Sequence, residues 1–230
     1  MAEAATFAGL GLAPLRQEAA PLRRKIAATL RSLIETGALP AGTRLIEKEL
    51  CAELAVSRTA LREALRELES EGLLVAGARG LAVGGLSPAE AADIYAVRAA
   101  LEGQVAEQFV ARADAAALAR LEAAADALRR AYEGGPIEPI LAAKRDFYDC
   151  LCAGAANTVV PELLARLNSR ISRLRVRSLA DPGRSAASLA EIEALLAALW
   201  AGDAAAARAA AIRHVERAAA AALGAALPAP

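Results

Sequence analysis

Arg44–Val83, RLIEKELCAELAVSRTALREALRELESEGLLVAGARGLAV, is the stretch on which the fold turns. Within it, Ala55-Val56-Ser57-Arg58-Thr59 reads as a tight turn, where the Ser57 hydroxyl can accept from the orphan N–H groups that open the next helix. That helix repeats Leu61, Ala64, Leu65 and Leu68 at intervals of three and four, which is an apolar stripe facing a core. Its other face begins with Arg58 and Thr59 and continues through Arg62 to Arg66, so cations and a hydroxyl stand where a recognition helix meets DNA. Gly72 stops the helix. Two short apolar runs, Leu73–Val75 and Leu81–Val83, flank Ala76-Gly77-Ala78-Arg79-Gly80 and predict a hairpin with a basic tip.

Working outward, Leu22, Ile26, Leu30, Leu33 and Ile34 predict an amphipathic helix over 21–36, with Pro21 tolerated in its first turn. The Gly37–Gly42 cluster ends it, and a second helix is expected over 47–54. Three helices and a hairpin make a winged helix-turn-helix. Leu86-Ser87-Pro88 marks a boundary, because Ser87 can cap a helix that starts at Pro88 and carries Glu90 at its third position. From there to about Leu223 every segment reads helical. Breaks at 112–114, 133–136, 154–157, 181–183 and 202–203 predict about six helices of roughly 12 to 20 residues. The chain therefore divides into a loose arm (1–14), a winged module (15–86) and an all-helical domain (87–225).

Composition narrows the function. The 230 residues are 56% hydrophobic but only 3% aromatic, and much of the apolar content is alanine, which suits closely packed helices. Mean hydropathy is +0.32, yet charged residues interrupt every apolar run before the roughly 20 residues a membrane span needs. The first residues lack a basic segment followed by an apolar one, so a cytoplasmic protein is expected. Net charge is zero; a local patch, not the total, would have to meet nucleic acid. Three cysteines without zinc spacing read as inert thiols, and one histidine with no phosphate loop or nucleophile elbow argues against an enzyme. Asp146 and Asp149, three apart, read as surface carboxylates.

Leu45-x-Glu47-Lys48-Glu49-Leu50, Val56-Ser57-Arg58-Thr59-x-Leu61-Arg62-Glu63-Ala64-Leu65, Leu68-Glu69-x-Glu71-Gly72-Leu73 and Arg79-Gly80 together resemble the GntR family of transcription regulators, FadR-type subfamily. The resemblance runs from about Leu15 to Leu223. It implies that Lys48, Arg58 and Arg62 contact DNA, that Ser57 and Thr59 lie at phosphate or base edges, and that Arg79 and Gly80 enter the minor groove. Asp93-Ile-Tyr-x-Val97-Arg98-x-x-Leu101-Glu102, Phe147-Tyr148-x-x-Leu151 and Gly154-x-x-Asn157 resemble the effector domain of the same subfamily.

Many members of that subfamily hold a divalent metal with one Asp and three His, which helps bind a small carboxylate. Here the matching positions carry Lys144, Tyr148, Ile192 and His214. An ammonium repels a cation, and one imidazole is too few ligands, so no metal and no cofactor are expected. Lys144 and Tyr148, four apart, share a helix face and place an ammonium beside a phenol. With Arg98 and His214 they form a candidate metal-free site for a small organic acid. Two bland alternatives stand beside it: Lys144 extends to solvent while Tyr148 plugs the core, or His214 is a satisfied core histidine. The expectation is a homodimeric repressor on a palindromic operator that answers to such an acid, or else a DNA-binding dimer whose pocket no longer senses.

Overall fold

The computed structural model describes residues 20–77, 80–133 and 137–224; the proposed arm at 1–14 and the wing-tip Arg79 lie outside them. Helix α1 (Ala20–Glu35) buries Ile26, Ala27, Leu30 and Ile34. Leu22 and Leu33, expected on that face, are 45% and 37% exposed. Ala27 supplies the inner surface instead, because the stripe follows Ile26 and Leu30 by one helical turn and Leu33 falls beside it.

Helix α2 (Glu47–Glu53) leads into α3 (Arg58–Ser70) through a turn in which Ala55 takes a left-handed conformation, φ 51°. The Ser57 hydroxyl accepts from the Ala60 amide at 3.3 Å, and the predicted stripe Leu61, Ala64, Leu65 and Leu68 is fully buried. At the other end Gly72 (φ +75°) allows its own amide to reach the Glu69 carbonyl and the Leu73 amide to reach that of Leu68, which satisfies two orphan acceptors. Strands β1 (Leu74–Gly77) and β2 (Gly80–Val83) pair antiparallel from Leu74 opposite Val83 to Gly77 opposite Gly80. Residues 43–45 bond along the outer side of β2 and cover one edge of this small wing.

Seven helices follow among the described residues: α4 (Pro88–Arg112), α5 (Ala115–Tyr132), α6 (Ile137–Gly154), α7 (Val160–Arg170), α8 (Ser172–Leu179), α9 (Pro182–Trp200) and α10 (Ala204–Gly224). Ser87 and Glu90 make a reciprocal capping box on α4. The break between α7 and α8 was not foreseen, since no Gly or Pro marks it; it falls at Ile171, which is completely buried, so tertiary packing sets it. Val105, Phe109, Leu121, Leu128, Phe147, Leu151 and Leu195 build the main core. Close approach requires two glycines: a Cβ at Gly154 would overlap the Phe109 ring, and one at Gly103 would come within 2.8 Å of Ile212. A second core, Ile94, Tyr95, Ile171 and Val215, ties α4, α10 and the α7–α8 junction together. No helix among the described residues is long and apolar enough to cross a membrane.

Candidate DNA interface and buried cationic cavity

The opening turn of α3 projects Ser57, Arg58, Thr59 and Arg62 into solvent, and Lys48 on α2 is exposed as well. The Ser57 oxygen satisfies the Ala60 amide, and the other opening amides of α3 keep the partial positive charge of a helix start. Arg62 is not free: its Nε lies 2.8 and 3.0 Å from the two carboxylate oxygens of Glu47. That pair is 59% exposed on the arginine side, and exposed pairs are cheap to exchange for a phosphate or a guanine edge. Glu47 was not singled out from the sequence because it belongs to another helix. Arg58 and Lys48 have no carboxylate within 4 Å among the described residues. Gly80 opens β2 at φ +108°, a conformation that lets the hairpin turn beneath its tip.

In the helical domain one group of charged side chains points inward. Lys144 is 6% exposed and His214 2%, so Lys144 does not extend to solvent. The Lys144 ammonium donates to the Ser188 hydroxyl at 2.9 Å and lies 3.2 Å from His214 Nε2. His214 Nδ1 lies 2.7 Å from a Glu191 oxygen, and Arg184 grips both oxygens of Glu191 at 3.0 and 2.9 Å. One tautomer satisfies this chain: Nε2 accepts from Lys144 while Nδ1–H donates to Glu191. His214 is therefore both a satisfied core histidine and a cavity wall.

A second buried pair sits alongside. Arg98 reaches Glu102 Oε1 at 2.6 and 3.1 Å and lies 5.4 Å over the Tyr95 ring. The other Glu102 oxygen and the Tyr148 hydroxyl are buried without a hydrogen-bond partner.

Burial, with Arg175 and Arg98 nearby, holds the Lys144 ammonium well below its usual pKa. Burial and then Lys144 push His214 down to about 4. Burial and then Arg98 bring Arg175 to about 10. Desolvation is the largest influence on the Glu102 carboxylate and works against its charge, but Arg98, the Tyr148 hydroxyl and His214 together outweigh it and leave its pKa lowered.

These residues do not fit a divalent metal. Lys144 brings a positive charge, Ser188 and Tyr148 bring hydroxyls, and His214 is a single imidazole; among the described residues no three of His, Cys, Asp and Glu converge. Ile192, which the resemblance aligned with a metal-binding histidine, is 1% exposed inside the apolar core. The α9 side chain that meets Lys144 is Ser188, one turn earlier. Sequence reasoning missed Ser188, Arg175, Arg184 and Glu191, which only the packing of α6, α8, α9 and α10 brings together. Glu102 carried a signal, four residues after Arg98.

A small pocket of about 20 Å³, lined by Arg98, Lys144, Arg175, Arg184, Ser188 and His214 among others, has room for about one water. Beyond it lies a cleft of about 720 Å³, bounded by the ends of α1 and α3 on one side and by α6, α7 and α8 on the other. Arg98, Lys144 and Arg175 line both spaces. Asp146 and Asp149 are exposed, as the sequence implied.

Comparison with known proteins agrees with this architecture. Residues 22–80 match the gntR family of bacterial regulatory proteins, and residues 93–217 match the FCD domain. The chain is 34% identical over 131 residues to an HTH-type transcriptional regulator in the TAR-I ttuE-ttuC' intergenic region of Agrobacterium vitis, covering 55% of this chain and 77% of that one. It is 41% identical over 86 residues to the gluconate operon transcriptional repressor of Bacillus subtilis, 37% of this chain and 35% of that one. Among solved structures, McbR/YncC of E. coli superposes with a TM-score of 0.71 at 27% identity, over 85% of this chain and 93% of that one. The chain belongs to the GntR family of bacterial regulatory proteins, DNA-binding transcription regulators and not enzymes, and its helical part is an FCD domain.

Proposed function

We propose that this regulator is a cytoplasmic repressor whose homodimer reads a palindromic operator and responds to a small organic acid bound without a metal. Residues 15–86 would do the reading and 87–225 the sensing and pairing. Two copies related by a two-fold axis would each present one winged module to a half-site, with Lys48, Ser57, Arg58, Thr59 and Arg62 against the major groove and Arg79 and Gly80 against the minor groove. The repressor role draws on the gluconate operon relative and on a D-xylose utilization operon relative, both named as repressors. The observation that carries the sensing role is the excess of buried cations: Glu102 serves Arg98 and Glu191 serves Arg184, while Lys144 meets only neutral Ser188 and His214. Burying an ammonium without a counter-charge is costly, and an acid on Lys144, Tyr148, Arg98 and His214 would supply one.

The reading half is tested by fluorescence anisotropy on DNA upstream of the protein's own gene. Binding should weaken with salt as phosphate contacts release counterions. Arg58→Ala and Arg62→Ala should each weaken it by about 1–3 kcal/mol. Operator affinity unchanged in the double variant would refute the assignment. The small volume of the pocket at His214 favours a second reading, a regulator that no longer senses; an acid panel that never changes operator affinity or melting temperature would support it.

A further inference from the structure

The cleft of about 720 Å³ is walled on one side by the DNA-reading head, through Arg31, Glu35 and Glu71, and on the other by the helical domain. Its floor is the trio Arg98, Lys144 and Arg175, which also closes the small cavity. Space for an acid therefore exists on the cleft side of these cations, and only about a water fits behind them. Arg175 is half-buried, and among the described residues its guanidinium has no carboxylate within 4 Å.

Helix α8 connects this floor to the head. Arg175 and Ser178 face the cavities. On the head's side, a Cβ at Gly37 would lie 3.8 Å from Arg173, and one at Gly72 would lie 3.3 Å from Arg170, just before α8. Glu35, the last residue of α1, is half-buried against this surface. Burial pushes its carboxyl up, while Arg31, Arg175 and Arg145 and the Ser169 hydroxyl draw it back toward the charged form. The head thus presents a carboxylate of its own on the same cleft as Arg175, one of the cations that an organic acid would seek.

We propose that the acid enters from this cleft onto Lys144 and Arg175 and competes there with Glu35, so that filling the site loosens the head's hold on α8. The inference rests on the acid-sensing reading above and adds the route of entry, Arg175 as a ligand-holding residue in place of His214, which lines only the small pocket, and the residue through which the head senses occupancy. Two anions near one guanidinium repel each other, and whatever the acid costs Glu35, Glu35 must cost the acid by the same factor. No distant relay is required, since the ligand and the head share one cleft.

The test uses the full chain with succinate, citrate and inorganic phosphate as probes, titrated calorimetrically into wild type, Glu35→Gln, Arg175→Gln and Lys144→Met. At least one probe should bind wild type, bind Glu35→Gln about tenfold more tightly, and be lost from Arg175→Gln and Lys144→Met. Without any ligand, Glu35→Gln should speed amide exchange several-fold in residues 31–37 and 170–179. Lys144-dependent binding that is equal in wild type and Glu35→Gln would overturn the competition and leave the sensing function standing. Unchanged exchange in Glu35→Gln would overturn the electrostatic coupling of Glu35 to the helical domain. If no probe binds any variant, the competition and the sensing role fall together.

Discussion

The head and the helical domain use the same kinds of residue in opposite ways. In the head, Arg58 and Arg62 stand in solvent on a helix whose other face is wholly apolar. In the helical domain Arg98, Glu102, Lys144, Glu191 and His214 are all buried. Exposed ion pairs such as Arg62 with Glu47 are worth little and exchange readily, which suits a surface that must trade a carboxylate for DNA. Buried pairs cannot be exchanged one member at a time, because the abandoned partner keeps its desolvation cost. The difference teaches where each domain's function resides: on contacts not yet made in the head, and on contacts already made in the cavity.

The largest expected effect comes from breaking a buried pair. Arg98→Met leaves Glu102 charged and alone at 1% exposure, and should cost about 3–5 kcal/mol, a fall in melting temperature on the order of 10 °C. Arg98→Met combined with Glu102→Leu should recover most of that loss, whereas Arg58→Ala on the head should leave melting unchanged. A double variant as unstable as Arg98→Met alone would mean that packing, not the unpaired charge, sets the cost.

Next comes pH. His214 titrates near 4 in the fold and at about 6.5 in an unfolded chain. Between those values the unfolded chain holds the extra proton, so stability is greatest above the unfolded value and falls as acid is added. Between about pH 6.5 and 4.5, above the range where Glu102 and Glu191 take up protons, His214 should account for a loss of roughly 2–3 kcal/mol. Denaturant melts of His214→Gln should be flatter across that window; an equally steep profile would place the proton elsewhere.

The smallest effect lies in the head. Ala55 sits at φ 51° in the helix-turn-helix, a conformation that costs a residue with a Cβ about 1 kcal/mol. Ala55→Gly should therefore raise stability by up to about 1 kcal/mol, partly offset by glycine's greater freedom when unfolded. A loss of stability would show that the turn is unstrained.

The same contrast explains how much could be read from sequence. The head is encoded locally: Ser57, the stripe Leu61–Leu68 and Gly72 each act on residues within about a turn, so periodicity and cap chemistry were enough. Its errors were ones of phase, as with Leu33, and of partnership between helices, as with Glu47 and Arg62. The cavity is assembled from α4, α6, α8, α9 and α10, so Lys144 and Tyr148 were visible as helix neighbours but Ser188 and Glu191 were not. Ile192 and Ser188 are both buried one turn apart on α9, and only the packing against α6 decides that Ser188 is the one to meet Lys144. The Ile171 break had no local signal because burial alone creates it.

The central claim is that the helical domain holds an organic acid with its own cations and no metal, and that Lys144 is the one an acid needs. Its most direct test is thermal unfolding of chelator-treated wild type and Lys144→Met across a panel of organic acids. At about a hundred times its dissociation constant, a bound acid should add about 2.7 kcal/mol, which is roughly 5–10 °C for a chain of this size. The account predicts that shift in wild type with chelator present and its loss in Lys144→Met. Equal shifts in both proteins, or a shift that appears only when a divalent metal is restored, would contradict it.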